Sequence, residues 1–593
     1  MSERSFYLEG EAQPIFVVHH PAADVGHSLT GVVLVPPYGW EETATHRARR
    51  EWALHLAAEG RAVVRLDLPG SGDDPGELSD PGRVEAWAEA VRRAADWLRG
   101  ASGLRRVCAI GLGSGGYPAF AAAAAGSLDD VVLWGTPPHG KRFLRELSTF
   151  ARLEASRIAE SGGPPAPAPE AGIEAGGYVL PEDVAARLAE LDLEAVALPA
   201  AARVLLLDRD GAGAADGLAA ALRSAELDVE SAEGRGYATM VQPPDLSHAP
   251  RETFAVVSEW LARGDRLDAV QASRPTRDAP APALDLGAVT ERPFEVDSGA
   301  GRLRGILTEP ATASTPPPLA LVFLNAGAIR RIGPNRLWVR AARRWAERGI
   351  PSLRLDNEGI GDADGDGEVY QEVGRFHDPQ LVDHIGAALD ALVAAGLPPR
   401  FVLIGLCSGG HWAFKTALRD DRAAAAVMIN TRILYWHEHI DPARDLRRTR
   451  LLVRAVTWKR LLRGDVPIDR WRGFAGWIGS AIASRVRRRS SEPSVFEWQA
   501  RMVADGFTSL RDGGRSAHFV FCDGEPLRDE LTRAGLLSQH ERWPNVDVTF
   551  IPGREHTLKP VWMHPHAEDA LDAVIRRELA AAPAPVGAPT EVV

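Results

Sequence analysis

The stretch Val402-Leu-Ile-Gly405-Leu-Cys407-Ser-Gly409-Gly410 decides how this 593-residue chain is read. An apolar run meets a turn in which two glycines flank a single residue, and a helical pattern follows. That is a strand, a sharp turn and a helix, with one side chain, the Cys407 thiol, presented at the turn. The same pattern occurs earlier as Cys108-Ala-Ile-Gly111-Leu-Gly113-Ser-Gly115-Gly116, where Gly113 takes the place of Cys407. Only one of the two turns carries an atom able to attack a substrate.

Working outward, the duplication extends well beyond the turns. Glu3-Arg4-Ser-Phe6 recurs as Glu291-Arg292-Pro-Phe294. Gly31-Val-Val-Leu-Val35 has its counterpart in Leu319-Ala-Leu-Val-Phe-Leu324, and the amphipathic run ending at Gly60 has its counterpart ending at Gly349. Arg65-Leu-Asp67-Leu-Pro-Gly70-Ser-Gly72-Asp73 matches Arg354-Leu-Asp356-Asn-Glu-Gly359-Ile-Gly361-Asp362 at a constant offset of 289 residues. Alternating strands and helices predict a mostly parallel sheet flanked by helices, the α/β class, built twice, each copy with a helical lid insertion. The predicted division is a first copy over 1–265, a Pro- and Ala-rich linker over 266–290, a second copy over 291–580 and a tail over 581–593.

A thiol at such a turn needs a histidine to take its proton and a carboxylate to orient that histidine. After Cys407, the apolar strand Ala517-His-Phe-Val-Phe-Cys522 runs into Asp523-Gly-Glu525-Pro, so Asp523 and Glu525 are the candidate acids. Val548-Thr-Phe-Ile-Pro-Gly553-Arg-Glu-His556 then places His556 on a glycine turn after a strand, as the candidate base. An oxyanion hole needs two backbone N–H groups. Ser408 supplies one at a helix N-terminus, whose dipole also favours a thiolate, and Gly327 or Ala328 in Asn325-Ala-Gly-Ala supplies the other. In the first copy the matching positions are Gly113 for the nucleophile, Asp210 for the acid and Tyr237 for the base, which leaves a degenerate site. Ser114 is one residue out of register and His248 is displaced beyond Tyr237, the fragments of a shifted triad.

At the two turns, the Asp-x-x-Gly-x-Gly-Asp repeat and the His556 turn, both copies resemble the α/β-hydrolase superfamily over residues ~1–265 and ~290–580. In that family the acid often precedes proline, which favours Glu525 over Asp523. The Gly-Leu-Cys407-Ser-Gly turn, with Asn325-Ala-Gly and Arg331-Ile-Gly-Pro-Asn-Arg336, resembles the cysteine-type hydrolases of bacterial export and secondary-metabolite gene clusters, including exosortase A system-associated hydrolase 1. The first copy, with Val35-Pro-Pro-Tyr38-Gly-Trp40, is similar to the companion hydrolase 2 type but departs from it at Gly113 and Tyr237. The resemblance implies acyl chemistry in the second copy.

Bulk composition is that of a globular protein, with 45% hydrophobic and 25% charged residues, and its net charge of −12 argues against general nucleic-acid binding. Three cysteines do not make a disulfide framework, and Cys108 and Cys522 read as core residues. The N-terminal stretch lacks a basic segment followed by an apolar core, and no run of about 18 apolar residues occurs, so a reduced, cytoplasmic setting is expected. No metal or cofactor is expected. His437-Glu-His439 lacks a third ligand, and His411 reads as a packing residue.

The expected lid of the second copy, about 431–512, is rich in Arg and Trp. From Asp441 to Ser490 it has fourteen Arg or Lys against four Asp, with Trp436, Trp458, Trp471, Trp477 and Trp498 in or near it. Such a surface suits an acyl thioester on coenzyme A or on an acidic acyl carrier protein, whose phosphates Arg can grip. A basic amphipathic stretch can also lie on an anionic membrane, though carrier docking is preferred. The leading expectation is an acyl-transfer enzyme, a thioesterase, acyltransferase or cyclase working through a Cys407 thioester, in a bacterial secondary-metabolite pathway. The alternatives are a small-ester or lactone hydrolase of the cysteine dienelactone-hydrolase kind and a non-enzymatic carrier-binding scaffold.

Overall fold

The structure is a computed structural model that describes residues 3–10, 13–23, 30–160, 172–200, 202–212, 215–265, 283–312, 316–436 and 495–582. The first copy runs β1 (Arg4–Leu8), β2 (Ile15–His20), β3 (Thr30–Val35), α1 (Trp40–Ala58), β4 (Val63–Leu66), α2 (Arg83–Ser102), β5 (Arg106–Leu112), α3 (Gly116–Ala124) and β6 (Asp130–Trp134). An insertion follows, made of α4 (Gly140–Glu160), β7 (Ile173–Ala175), β8 (Tyr178–Leu180) and α5 (Glu182–Ala189). The copy closes with β9 (Arg203–Leu207), α6 (Asp216–Ser224), β10 (Asp228–Ala232), α7 (Tyr237–Met240) and α8 (Arg251–Asp265).

The second copy runs β11 (Leu284–Asp285), β12 (Val289–Asp297), β13 (Arg302–Pro310), β14 (Ala320–Phe323), α9 (Leu337–Ala346), β15 (Ser352–Asp356), α10 (Pro379–Ala394), β16 (Phe401–Leu406), α11 (Ser408–Arg419) and β17 (Ala423–Ile429). After the undescribed 437–494 come α12 (Val495–Asp512), β18 (Ser516–Phe521), α13 (Pro526–Arg533), β19 (Val546–Phe550) and α14 (His564–Ala581).

Apolar residues set these elements. The central strands β3, β5, β14 and β16 are nearly continuous runs of Val, Leu, Ile and Phe, as strands covered on both faces must be, and they are buried along their length. The strand order is β1-β2-β4-β3-β5-β6-β9-β10 in the first sheet and β11-β12-β13-β15-β14-β16-β17-β18-β19 in the second. Apart from the added β11 the two orders are identical, and in each the two hairpin strands pair antiparallel with one another and with the next strand in space, while the strands beyond are parallel. The chain is therefore two tandem α/β-hydrolase folds. Leu284–Asp285, within the stretch 266–290, pairs with β12 at Glu291 and Thr290. Most of the predicted linker, the Pro-rich stretch 162–169, the basic stretch 441–490, His437, His439 and all but the first residues of the predicted tail lie outside the described residues.

The copies meet face to face. Tyr7, Phe16 and Val18 of the first copy pack on Leu284 and Ile306 of the second. Around this apolar contact the repeated Asp-x-x-Gly-x-Gly-Asp turns exchange charges reciprocally. Arg65 reaches Asp362 at 2.6 Å, and its repeat-mate Arg354 reaches Asp73, the repeat-mate of Asp362. A patch that contacts its own equivalent is the signature of a two-fold interface. Arg331 bridges Asp73 (2.8 Å), Asp356 (2.7 Å) and Asp362 (2.8 Å), while Arg330 pairs with Asp67 and Glu42, both at 2.9 Å. The Arg336 guanidinium donates to the carbonyls of Gly70, Gly72, Asp74 and Gly76, capping the first copy's turn. Asp73 is kept ionised by its partners: burial pushes it up, yet Arg331, Arg354 and Arg330 hold it at about 2.

Candidate active site

Cys407 sits between β16 and α11 at φ +57°, in left-handed space that a non-glycine residue occupies only where its surroundings enforce it. The crowding explains the flanking glycines. A Cβ on Gly405 would fall 2.0 Å from the Gly409 carbonyl carbon, and one on Gly409 would fall 2.2 Å from the Asn325 oxygen. The turn thus leaves one side chain free, and it is a half-buried thiol at a helix N-terminus.

His556 lies on the loop after β19. Its Nδ1 is 3.0 Å from both Oε1 and Oε2 of Glu525, which is 4% exposed at the start of α13. Its Nε2 is buried and makes no hydrogen bond of normal geometry, so its coupling to Cys407 is through charge and proximity. Burial pushes the Cys407 thiol up. The His556 imidazolium outweighs this by charge and proximity, with help from the Arg432 guanidinium and the Ser408 amide, so the thiol lies below its ordinary value. Burial pushes His556 down, but the Cys407 thiolate and the Glu525 hydrogen bond lift it to about 9. The two shifts describe one thiolate–imidazolium pair. Asp523 is not part of it: its carboxylate accepts from Arg528 at 3.1 Å and its side chain is 66% exposed.

Of the oxyanion candidates, the Ser408 amide stands at the N-terminus of α11, where it favours the Cys407 thiolate. The Gly327 amide donates to the Ser408 hydroxyl at 3.2 Å, which brings the β14 loop against the nucleophile turn, with Ala328 half-buried beside it. The degenerate copy repeats this contact, Tyr38 N–H donating to the Ser114 hydroxyl at 2.8 Å.

Two residues near the site were not read from the sequence. Asn430, at φ +45° just past β17, donates from Nδ2 to the His556 carbonyl at 2.8 Å and accepts from the Cys522 amide at 2.9 Å, tying the histidine and acid loops together. The available signal was an Asn closing a continuous apolar strand beside the nucleophile strand. Arg432, two residues on, supplies the second cation. Cys522 is buried as expected, but its thiol also donates to Glu525 Oε1 at 3.5 Å. Burial and the Glu525 charge push that thiol far up, so it stays neutral. His411 is a packing residue: it is buried against His377 and its Nδ1 meets the Ile433 carbonyl at 3.1 Å.

In the first copy the equivalent space is filled. The Tyr237 hydroxyl donates to Glu41 Oε2 at 3.0 Å, beneath the Arg209 guanidinium. A Cβ on Gly113 would meet that hydroxyl at 2.6 Å and the Glu41 carboxylate at 2.9 Å. Asp210 caps the turn before α7, accepting from the amides of Gly236 and Ala238. No shifted triad forms, since the Ser114 hydroxyl is held by Tyr38 and His248 lies against Gln371 of the other copy.

Comparison with known proteins gives distant likenesses only. No protein-family model matches the sequence, and neither does any curated protein. Among solved structures, an α/β hydrolase from Penicillium sp. sh18 is 18% identical, covering 49% of this chain and 98% of its own, with a TM-score of 0.31. A dienelactone hydrolase from Anabaena variabilis is 13% identical over 49% of this chain and 98% of its own, TM-score 0.30. An α/β serine hydrolase described as lacking a lid, from Xanthomonas campestris, is 17% identical over 45% of this chain and 94% of its own, TM-score 0.29. Each is the size of one copy. Among the described residues, no helix is long and apolar enough to cross a membrane.

Proposed function

We propose that the second copy is an acyl-transfer enzyme acting on an acyl thioester through a covalent Cys407 intermediate. The observation that carries this is the Cys407–His556–Glu525 arrangement, in which thiol and imidazole each shift toward the charged form. The Cys407 thiolate attacks the acyl carbon, and the carbonyl electrons move onto oxygen, toward the amides of Ser408 and of Gly327 or Ala328. Collapse expels the leaving thiolate, which takes the proton from His556 Nε2. His556, now neutral and held by Glu525, then removes a proton from the acceptor as it attacks the Cys407 thioester. Attack by water gives hydrolysis; attack by an alcohol, amine or thiol gives transfer or, within one substrate, cyclisation.

Exchange between one thioester and another is nearly isoenergetic, which suits a cysteine nucleophile to coenzyme A or carrier-bound substrates in a biosynthetic setting. The net positive stretch 441–490 is the proposed docking region for an acyl carrier protein. Hydrolysis of small esters or lactones would use the same residues. Intact-mass spectrometry of wild type and Cys407→Ala after exposure to acyl-pantetheine and acyl-CoA thioesters tests the reading. An acyl adduct only when Cys407 is present is expected. Faster turnover of small activated esters than of thioesters would favour the ester reading, and no adduct with unimpaired carrier binding in both proteins would favour a scaffold.

A further inference from the structure

The loop that carries His556 has two sets of anchors, and one set belongs to the other copy. Within the second copy, the Glu555 carboxylate accepts from the amides of Thr557 (2.9 Å) and Lys559 (2.8 Å), and Asn430 holds the His556 carbonyl. Leu558 nevertheless stands at φ +57°, a conformation that persists only under external constraint.

The constraint at the far end of the loop comes from the insertion of the degenerate copy. Glu174 on β7 accepts from the Val561 amide at 2.8 Å. The Lys559 ammonium lies 4.0 Å from the centre of the Trp40 ring and 3.7 Å from Glu154 on α4. Glu154 in turn accepts from the Gly176 amide at 2.6 Å, fixing the β7–β8 turn. At the next residue, Gly177, the backbone comes so close that a Cβ would fall 2.5 Å from the Lys559 oxygen. The insertion packs on its own copy, where Tyr178 shares a hydrogen bond with Thr43 at 2.8 Å, and also reaches across the interface to the loop that carries the histidine.

We propose that the degenerate copy is a positioning element for catalysis, with Glu174 and the β7–β8 hairpin holding the 555–561 loop so that His556 meets Cys407. This rests on the reading of His556 as the general base. Glu174 touches no substrate; it acts through the Val561 amide by a charge-assisted hydrogen bond. Misplacing a catalytic group by about 1 Å can cost about 100-fold in rate, and residues 555–560 belong to neither a helix nor a strand that would hold them rigidly.

The test uses the full chain. Glu174→Ala should lower kcat on an acyl-pantetheine thioester by about ten-fold or more while KM stays within about two-fold, the pattern of a lost transition-state contribution. It should also move the pH midpoint of Cys407 alkylation by iodoacetamide upward, because a displaced imidazolium no longer supports the thiolate. Glu174→Gln keeps an oxygen that accepts from Val561 and should recover most of both. Unchanged kcat and an unchanged alkylation profile in Glu174→Ala, with Cys407→Ala and His556→Ala inactive, would overturn the positioning role and leave the catalytic reading intact. Full activity in His556→Ala would overturn the catalytic reading first. If Glu174→Ala does not fold, Lys559→Gln decides by the same measurements: an unmoved alkylation profile overturns the proposal.

Discussion

Replacing Cys407 by alanine should change the titration of a different residue. In the intact site His556 titrates at about 9 because the Cys407 thiolate and the Glu525 hydrogen bond overcome burial. Alanine removes the thiolate and leaves burial and the Arg432 charge pulling down against Glu525 alone. His556 should then fall to the ordinary imidazole value near 6.5 or below, a drop of about 2.5 pH units, or about 3 kcal/mol of thiolate–imidazolium attraction. Histidine-selective NMR titration of wild type and Cys407→Ala gives both values directly. A variant whose His556 still titrates within about 0.5 pH units of 9 would refute the ion pair and leave Cys407 a neutral thiol. The sign for activity follows. As pH rises through about 9 the imidazolium, and with it the proton for the leaving group, is lost. As pH falls through the lowered Cys407 value the thiolate is protonated. Activity should therefore be bell-shaped, with its falling limb near 9.

Asn430→Ala leaves the His556 carbonyl and the Cys522 amide without a partner; at about 1–3 kcal/mol for such a loss, kcat should fall roughly ten- to a hundred-fold, read by steady-state kinetics. Arg331→Met removes the cation shared by Asp73, Asp356 and Asp362, leaving Asp73 to Arg354 and Asp362 to Arg65, and calorimetry should show a loss of about 3–5 kcal/mol. Gly113→Cys cannot revive the first copy: it forces a Cβ against the Tyr237 hydroxyl and should lower the Tm, at about 1–3 kcal/mol for overpacking, with no new alkylatable thiol of lowered pKa. Arg432→Gln should move the Cys407 alkylation midpoint upward, since it removes one of the cations that favour the thiolate.

The fold was legible in the sequence because buried parallel strands write themselves as uninterrupted apolar runs, and because two glycines around Cys407 admit few conformations. His556 and the pair Asp523 and Glu525 were legible from their places after strands. The choice between the acids was a matter of direction: both lie on one short turn, and only the start of α13 turns Glu525 inward while Asp523 faces Arg528 and solvent. The interface was hidden in plain view. Arg65, Asp73, Arg354 and Asp362 announce a repeat by their spacing, but spacing does not say that each partner lies in the other copy. Asn430 and Glu174 act through backbone amides and carbonyls, which leave no pattern in side-chain sequence.

The reciprocal exchange between the two Asp-x-x-Gly-x-Gly-Asp turns separates the fates of the first copy's residues. A copy that has lost its nucleophile and its histidine would ordinarily be free to decay everywhere. Here Asp73 neutralises Arg354 and Arg331, and Arg65 neutralises Asp362, so a change in the silent half leaves an unbalanced charge inside the working half. Mutational tolerance in the first copy should therefore be lower at its turn than around the exposed Asp210. On the proposed reading, the first copy could not be shed without rebuilding the face it covers.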